Sequence, residues 1–139
     1  MKKILVIIFV LCICITVKAS EDKFINALKT CSGFTDSGTI NTDGISATST
    51  KQILGWHNNK CTYKENISMN GINVNIACHF TKSQIKEITS VADAYFLTLK
   101  YSGEQADTSS LDAVKNNPLT NVFNKYIQDQ SVCEISGLQ

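Results

Sequence analysis

The sequence contains no arginine; all thirteen of its basic residues are lysine. Nucleic-acid recognition draws on bidentate guanidinium contacts and on a basic stripe, and neither is present. Nucleic acid is therefore not an expected partner. No Cys-x-x-Cys pair occurs, which argues against a zinc site and against a reactive disulfide. No Gly-x-Ser-x-Gly nucleophile elbow occurs either. Histidine is scarce, with only His57 and His79. No apolar run reaches the roughly 20 residues that span a bilayer.

The one long apolar run sits at the start of the 139-residue chain. Met1-Lys2-Lys3 is a short positive head, Ile4 to Val17 is apolar apart from Thr16, and Val17-Lys18-Ala19 has the small residues of a cleavage site. This pattern predicts an export signal over 1–19 and a mature domain over 20–139. Leu11 and Ile13 precede Cys12 and Cys14 where a lipid-attachment site wants a small residue, so no stable membrane anchor is expected after cleavage. The short head and compact run have a bacterial form, which makes the destination the periplasm or the exterior. The mature chain keeps ten lysines against twelve acidic residues, a net charge of −2.

Removing the signal leaves Cys31, Cys61, Cys78 and Cys133. An even number of cysteines in a small exported chain predicts two disulfides. About 120 residues is enough for one core.

Ser20 to Cys31 reads as a helix, with Ser20 as cap, Gly33 as stop, and Phe24, Ala27, Leu28 and Cys31 on one stripe. Asp36 to Thr50 is rich in Ser, Thr and Gly and reads as a loop with at most a short edge strand. Its Asn41-Thr42-Asp43-Gly44 run lacks the spacing of a calcium loop and reads as a polar turn. Asn58-Asn59 and Asn70-Gly71 are hairpin turns, because asparagine and glycine accept positive φ. They define a three-stranded meander over Thr50–His57, Lys60–Met69 and Ile72–Phe80, with Thr50–His57 and Ile72–Phe80 as its edges.

Strict alternation away from the two turns sorts the side chains. Leu54, Trp56, Cys61, Tyr63, Ile67, Val74, Ile76, Cys78 and Phe80 fall on one face. Ile53, His57, Thr62, Lys64, Asn73, Asn75 and His79 fall on the other. Glu65 breaks the apolar face and is expected at its rim. Trp56 is expected in the core.

Thr81-Lys82-Ser83-Gln84 fits a capping box. The helix after it carries Ile85, Ile88, Ala92, Tyr95, Phe96 and Leu99 on one stripe and stops near Gly103. A polar link follows over 103–108, then a turn of helix within 109–116. Asn117 caps a last helix opened by Pro118 and expected to run to Cys133. The architecture predicted is α+β: a three-stranded antiparallel meander, stabilised by disulfides, with helices packed on one face.

On that register Cys61 and Cys78 are diagonal neighbours, roughly 7–8 Å apart, farther than a disulfide prefers. Both point toward the helices. Cys31 pairing with Cys61 and Cys78 with Cys133 is the expected arrangement, and the swapped pairing stays open. His57 and His79 sit on outer strands, roughly 10 Å apart, too far for easy joint chelation. No metal and no cofactor are expected.

The segments Leu28-Lys29-Thr30-Cys31, Ile53-Leu54-Gly55-Trp56-His57-Asn58-Asn59-Lys60-Cys61-Thr62-Tyr63 and Cys78-His79-Phe80-Thr81 resemble those of small exported bacterial proteins with four cysteines. That resemblance covers about half the mature chain and implies no activity.

These features point to a non-enzymatic secreted or periplasmic binding module, a class that includes enzyme inhibitors. Its partner would be a protein or an envelope component. The polar face with His57, Thr62, Lys64, Asn73, Asn75 and His79 is the expected interaction surface. Two alternatives stand beside it: a structural part of an envelope assembly, and a small hydrolase with an unrecognised site.

Overall fold

The computed structural model describes residues 18–42, 44–104 and 111–137. Most of the expected export signal, with Cys12 and Cys14, lies outside the described residues, as do Asp43 of the polar turn and the 105–108 part of the link. The order of elements is α1 (Lys18–Thr30), β1 (Phe34–Thr42), β2 (Ile45–His57), β3 (Lys60–Met69), β4 (Ile72–Phe80), α2 (Lys82–Ser102), α3 (Leu111–Lys115), α4 (Pro118–Ile127) and β5 (Cys133–Ser136). The fold is α+β with one antiparallel sheet in the order β1-β2-β3-β4-β5. Five strands replace the expected three.

Both asparagine turns form as the sequence predicts. Asn58 and Asn59 have φ of 48° and 61°, and Asn70 and Gly71 have 49° and 81°. Two consecutive positive φ values make each a type I′ turn, whose twist matches that of the flanking strands. The pairings Cys61–Phe80, Tyr63–Cys78, Glu65–Ile76 and Ile67–Val74 follow directly.

The stretch read as a loop is instead a hairpin. β1 pairs with β2 along its whole length, from Phe34–Ile53 to Thr42–Ile45. Serine and threonine serve here as strand residues because they find cross-strand partners. Ser37 and Thr50 hydroxyls lie 2.9 Å apart, and those of Thr39 and Thr48 lie 3.1 Å apart. Consequently Thr50–His57 is an inner strand segment, and β4 is flanked by β5, so neither expected edge is an edge.

A bulge in β2 overturns part of the face assignment. Ile53 pairs with Tyr63 and Gly55 with Thr62, so Leu54 is the extra residue. Gly55 takes a φ of 105°, open to glycine at no steric cost. The bulge shifts the alternation by one: Ile53 is 1% exposed and Leu54 55%. Ile53→Ala is expected to cost about 3 kcal/mol and Leu54→Ala less than about 1 kcal/mol. Denaturant midpoints for the two variants check this, and equal losses would contradict the bulge.

Trp56 does face Cys61, but at the end of the sheet, where it is 42% exposed and not in the core. Its Nε1–H donates to the Thr30 carbonyl at 3.2 Å, and the Lys82 ammonium lies 5.7 Å from its ring. It clips the end of α1 to the sheet. Trp56→Ala is expected to cost about 2 kcal/mol, below the 3–5 kcal/mol of a fully buried aromatic. A loss in that higher range, read from urea unfolding, would place the ring inside.

Glu65 is 3% exposed and lies inside the sheet's covered face rather than at its rim. A buried carboxylate needs donors. Ser49 Oγ–H donates to one of its oxygens, and Tyr63 O–H donates to the other at 2.6 Å. Lys51 pairs opposite it on β2, 7% exposed, with its ammonium 5.5 Å from the Phe24 ring.

The helices cover this face. α1 ends in a Schellman motif: Cys31 N–H bonds to Leu28 O and Ser32 N–H to Ala27 O. Cys31, with φ 52°, occupies the left-handed position expected of Gly33. α2 has the capping box, with Gln84 N–H to Thr81 Oγ1 at 3.2 Å and Thr81 N–H to Gln84 Oε1 at 2.8 Å. Gly103 caps it at φ 70°. Asn117 caps α4, and Pro118 begins it. α4 stops at Ile127, so Cys133 belongs to a strand and not to the last helix.

The core centres on the rings of Phe24, Tyr63, Phe80, Phe123 and Tyr126, with centroids 5.8–6.4 Å apart. Two disulfides close it. Cys31–Cys61 ties the end of α1 to β3, with Cα atoms 5.8 Å apart. Cys78–Cys133 joins residues directly opposite each other on β4 and β5, with Cα atoms 4.0 Å apart. The expected pairing holds, but the second bridge links strand to strand.

Candidate functional site

Because the helices occupy one side of the sheet, every second strand residue points to the other side. β1 contributes Thr35, Ser37, Thr39 and Asn41, all exposed. From β3 come the half-buried Thr62 and the exposed Lys64, Asn66 and Ser68; from β4 come the exposed Asn73, Asn75 and His79. His57 and Lys60 pair at the turn end, and Glu134 on β5 pairs with Ala77. All six residues expected to form an interaction surface, His57, Thr62, Lys64, Asn73, Asn75 and His79, thus lie on this one open face.

Several of its side chains hold one another across strands. Thr62 Oγ1 and His79 Nδ1 are 3.3 Å apart, and Asn66 Nδ2–H donates to Asn75 Oδ1 at 2.7 Å. The hydroxyl pairs of β1 and β2 extend this lattice. Cross-strand hydrogen bonds of this kind reduce the rotamer freedom that a partner would otherwise have to freeze. Charge is sparse: Lys60 and Lys64 at one end and in the centre, and Glu134 near β5. His57 and His79 are separated by β3, in keeping with the expected two strand spacings. Among the described residues no group of three or more His, Cys, Asp or Glu is placed to hold a metal ion.

Sequence reasoning missed the β1 and β2 share of this face. The signal was present in Asp43-Gly44, a hairpin dipeptide between alternating residues. It was masked by the Ser/Thr composition, which reads equally as loop.

Two other places gather polar groups. A cleft of about 410 Å³ is lined by Asp22, Phe96, Leu99, Lys100, Gly103 and Glu104, where α1 begins and α2 ends. Among the described residues its lining carries two carboxylates, Asp22 and Glu104, and one lysine, Lys100. On the helical layer, Glu87 of α2 receives Lys125 of α4 at 2.7 Å and the Tyr126 hydroxyl. The Lys125 hydrogen bond, then the Tyr126 one, hold the Glu87 carboxyl below its ordinary pKa. The same carboxylate raises Lys125, while burial first and Glu87 second raise Tyr126.

The sign for Glu87 follows from linkage. A folded-state pKa below the unfolded one stabilises the fold above the unfolded value, and the gain is lost as pH falls through the folded value. Glu87→Gln should therefore remove part of the stability loss on acidification below the ordinary carboxylate range. Chemical denaturation from neutral to acidic pH checks this; identical pH slopes for wild type and variant would contradict it.

The structure shows two disulfides, which are compatible with an oxidising compartment. No helix among the described residues is long and apolar enough to cross a membrane. Comparison with protein-family models, with curated proteins and with solved structures finds no match, so the geometry of the open sheet face is what the functional reading rests on.

Proposed function

We propose that this chain is an exported, disulfide-stabilised binding module that works in the periplasm or outside a bacterial cell. It engages a protein or envelope partner through the open face of its sheet, without chemistry of its own. One observation carries the reading: His57, Thr62, Lys64, Asn73, Asn75 and His79 share one open surface, on which Thr62 and His79, and Asn75 with Asn66, are already braced by cross-strand hydrogen bonds. A preorganised polar platform suits recognition, because little side-chain ordering remains to oppose binding. Enzyme inhibitors belong to this class.

The test uses the exported protein as bait in periplasmic and envelope extracts, beside Lys64→Glu and Asn75→Lys variants and a control on the helical layer, Lys86→Glu. The expected result is one partner captured by wild type and control, with both face variants weakened at least about tenfold. Capture that is indifferent to the face variants would sink the proposal. Turnover of a substrate by the purified protein would favour the hydrolase reading instead.

A further inference from the structure

The two edges of the sheet are unlike each other. β5 is four residues long, with Glu134 on it. Just past it Gly137 lies so close beside β4 that a Cβ there would be 2.3 Å from the Asn73 carbonyl oxygen. Short strands and charges are among the usual protections of an edge. β1 has little of this. It runs for nine residues, carries no lysine or proline, and pairs among the described residues with β2 alone, without a bulge. Its one charge, Asp36, is on the helix-facing side, opposite Lys51.

The hairpin determines which backbone groups of β1 face outward. Thr42–Ile45 closes a two-residue loop, and such a closing pair is hydrogen-bonded. Hydrogen-bonded and non-hydrogen-bonded pairs then alternate. Phe34, Asp36, Gly38, Ile40 and Thr42 turn their N–H and C=O toward β2. Thr35, Ser37, Thr39 and Asn41 turn theirs away. The close hydroxyl pairs Ser37–Thr50 and Thr39–Thr48 agree, since side chains approach best at non-hydrogen-bonded pairs.

We infer that β1 is a self-association edge, pairing antiparallel with β1 of a second copy about a two-fold axis at Gly38. The register that sets Phe34 against Thr42 of the second copy uses the whole strand. It matches Thr35 with Asn41 and Ser37 with Thr39, and these are the residues whose backbone groups face outward. Gly38 meets Gly38 at a non-hydrogen-bonded pair, where Cα atoms come within roughly 4.5 Å and the lack of a Cβ leaves room. Asp36 falls opposite Ile40 and not opposite its own copy, so no like charges meet. A two-fold pairing is closed and consumes the edge. The glycine at the two-fold and the absence of facing like charges favour a second copy over a foreign strand. One strand pair buries less than the roughly 800 Å² per partner of a standard interface, so the dimer is weak, with dissociation in the micromolar range or above.

The experiment is sedimentation of the purified exported protein from micromolar to millimolar concentration, with residue-resolved amide exchange at both ends. The expected result is a monomer–dimer equilibrium, with the Thr35, Ser37, Thr39 and Asn41 amides gaining protection as the dimer forms. Ser37→Lys and Thr39→Pro should each weaken it at least about tenfold; proline is tolerated on an edge strand where its N–H would face solvent. A monomer at every concentration overturns the inference. So does a dimer whose formation leaves those four amides unprotected in the wild-type chain, because another surface then makes it.

Discussion

Replacing Cys78 and Cys133 together by alanine should lower stability by about 4 kcal/mol. The bridge spans 55 positions in sequence, and in the chain-entropy model a loop of that length contributes about that much by restricting the unfolded chain. Cys31–Cys61 spans 30, for which the same model gives about 3.6 kcal/mol. The Cys78–Cys133 loss should nevertheless be more visible locally. β5 is only four residues long, and both bridge cysteines are buried where it meets β4. Without the bridge, β5 is held by one short ladder and by the His79 N–H to Val132 carbonyl bond at 2.9 Å. Urea unfolding of the double variant checks the magnitude. Amide exchange across residues 133–136 checks the locality, with faster exchange expected there than in β3. A loss below about 1 kcal/mol would mean that the unfolded chain is already restricted without the bridge.

Phe80→Ala should cost about 3–5 kcal/mol, the range for a large buried aromatic. Phe80 has no exposed surface and touches both layers of the fold. Its ring lies 6.2 Å from Tyr63 on the sheet, 6.4 Å from Phe123 and 6.0 Å from Tyr126 on α4, the last two edge-on. Neighbours on two rigid elements cannot collapse into the space, so the cavity persists and its cost adds to the lost transfer energy. The Cys61–Cys31 bridge, directly across from Phe80, limits relaxation further. Phe80→Leu should recover more than half of the loss. Thermal and urea midpoints for the pair measure this, and equal losses would show that shape, not volume, decides at this position.

The parts of the fold legible in the sequence share one property: their signals are local. Asn58-Asn59 and Asn70-Gly71 need positive φ, the Thr81/Gln84 box closes within one turn, and Asn117-Pro118 marks a helix start by itself. Each sets its element without reference to anything distant, and β3 and β4 appear with the expected ends. The six face residues were legible for the same reason, since two turns and a period of two place them. What went unread was non-local or ambiguous. β1 is a strand because Ser37 and Thr39 meet hydroxyls on β2. The bulge had a sign, a glycine within a strand at Gly55, but alternation counted from the turn passed over it. β5 is too short to carry a pattern.

By itself, then, the sequence determined the two asparagine turns with the register between β3 and β4, the caps of α2 and the start of α4, and the polar face that the turns imply; the first helix kept neither Ser20 as its cap nor Gly33 as its stop. Tertiary structure decided the rest. It chose one of the allowed cysteine pairings by bringing Cys78 opposite Cys133 on a strand that no local pattern announces. Glu65 is buried with Ser49 and Tyr63 pointing hydroxyls at it from two strands. Leu54 turned outward, and β1 became a nine-residue edge. The physical reason is common to all four. Turn and cap preferences are properties of a few adjacent residues, whereas burial, bridge geometry and strand neighbours are energies of pairs far apart in sequence, and these take a value only once the chain has folded.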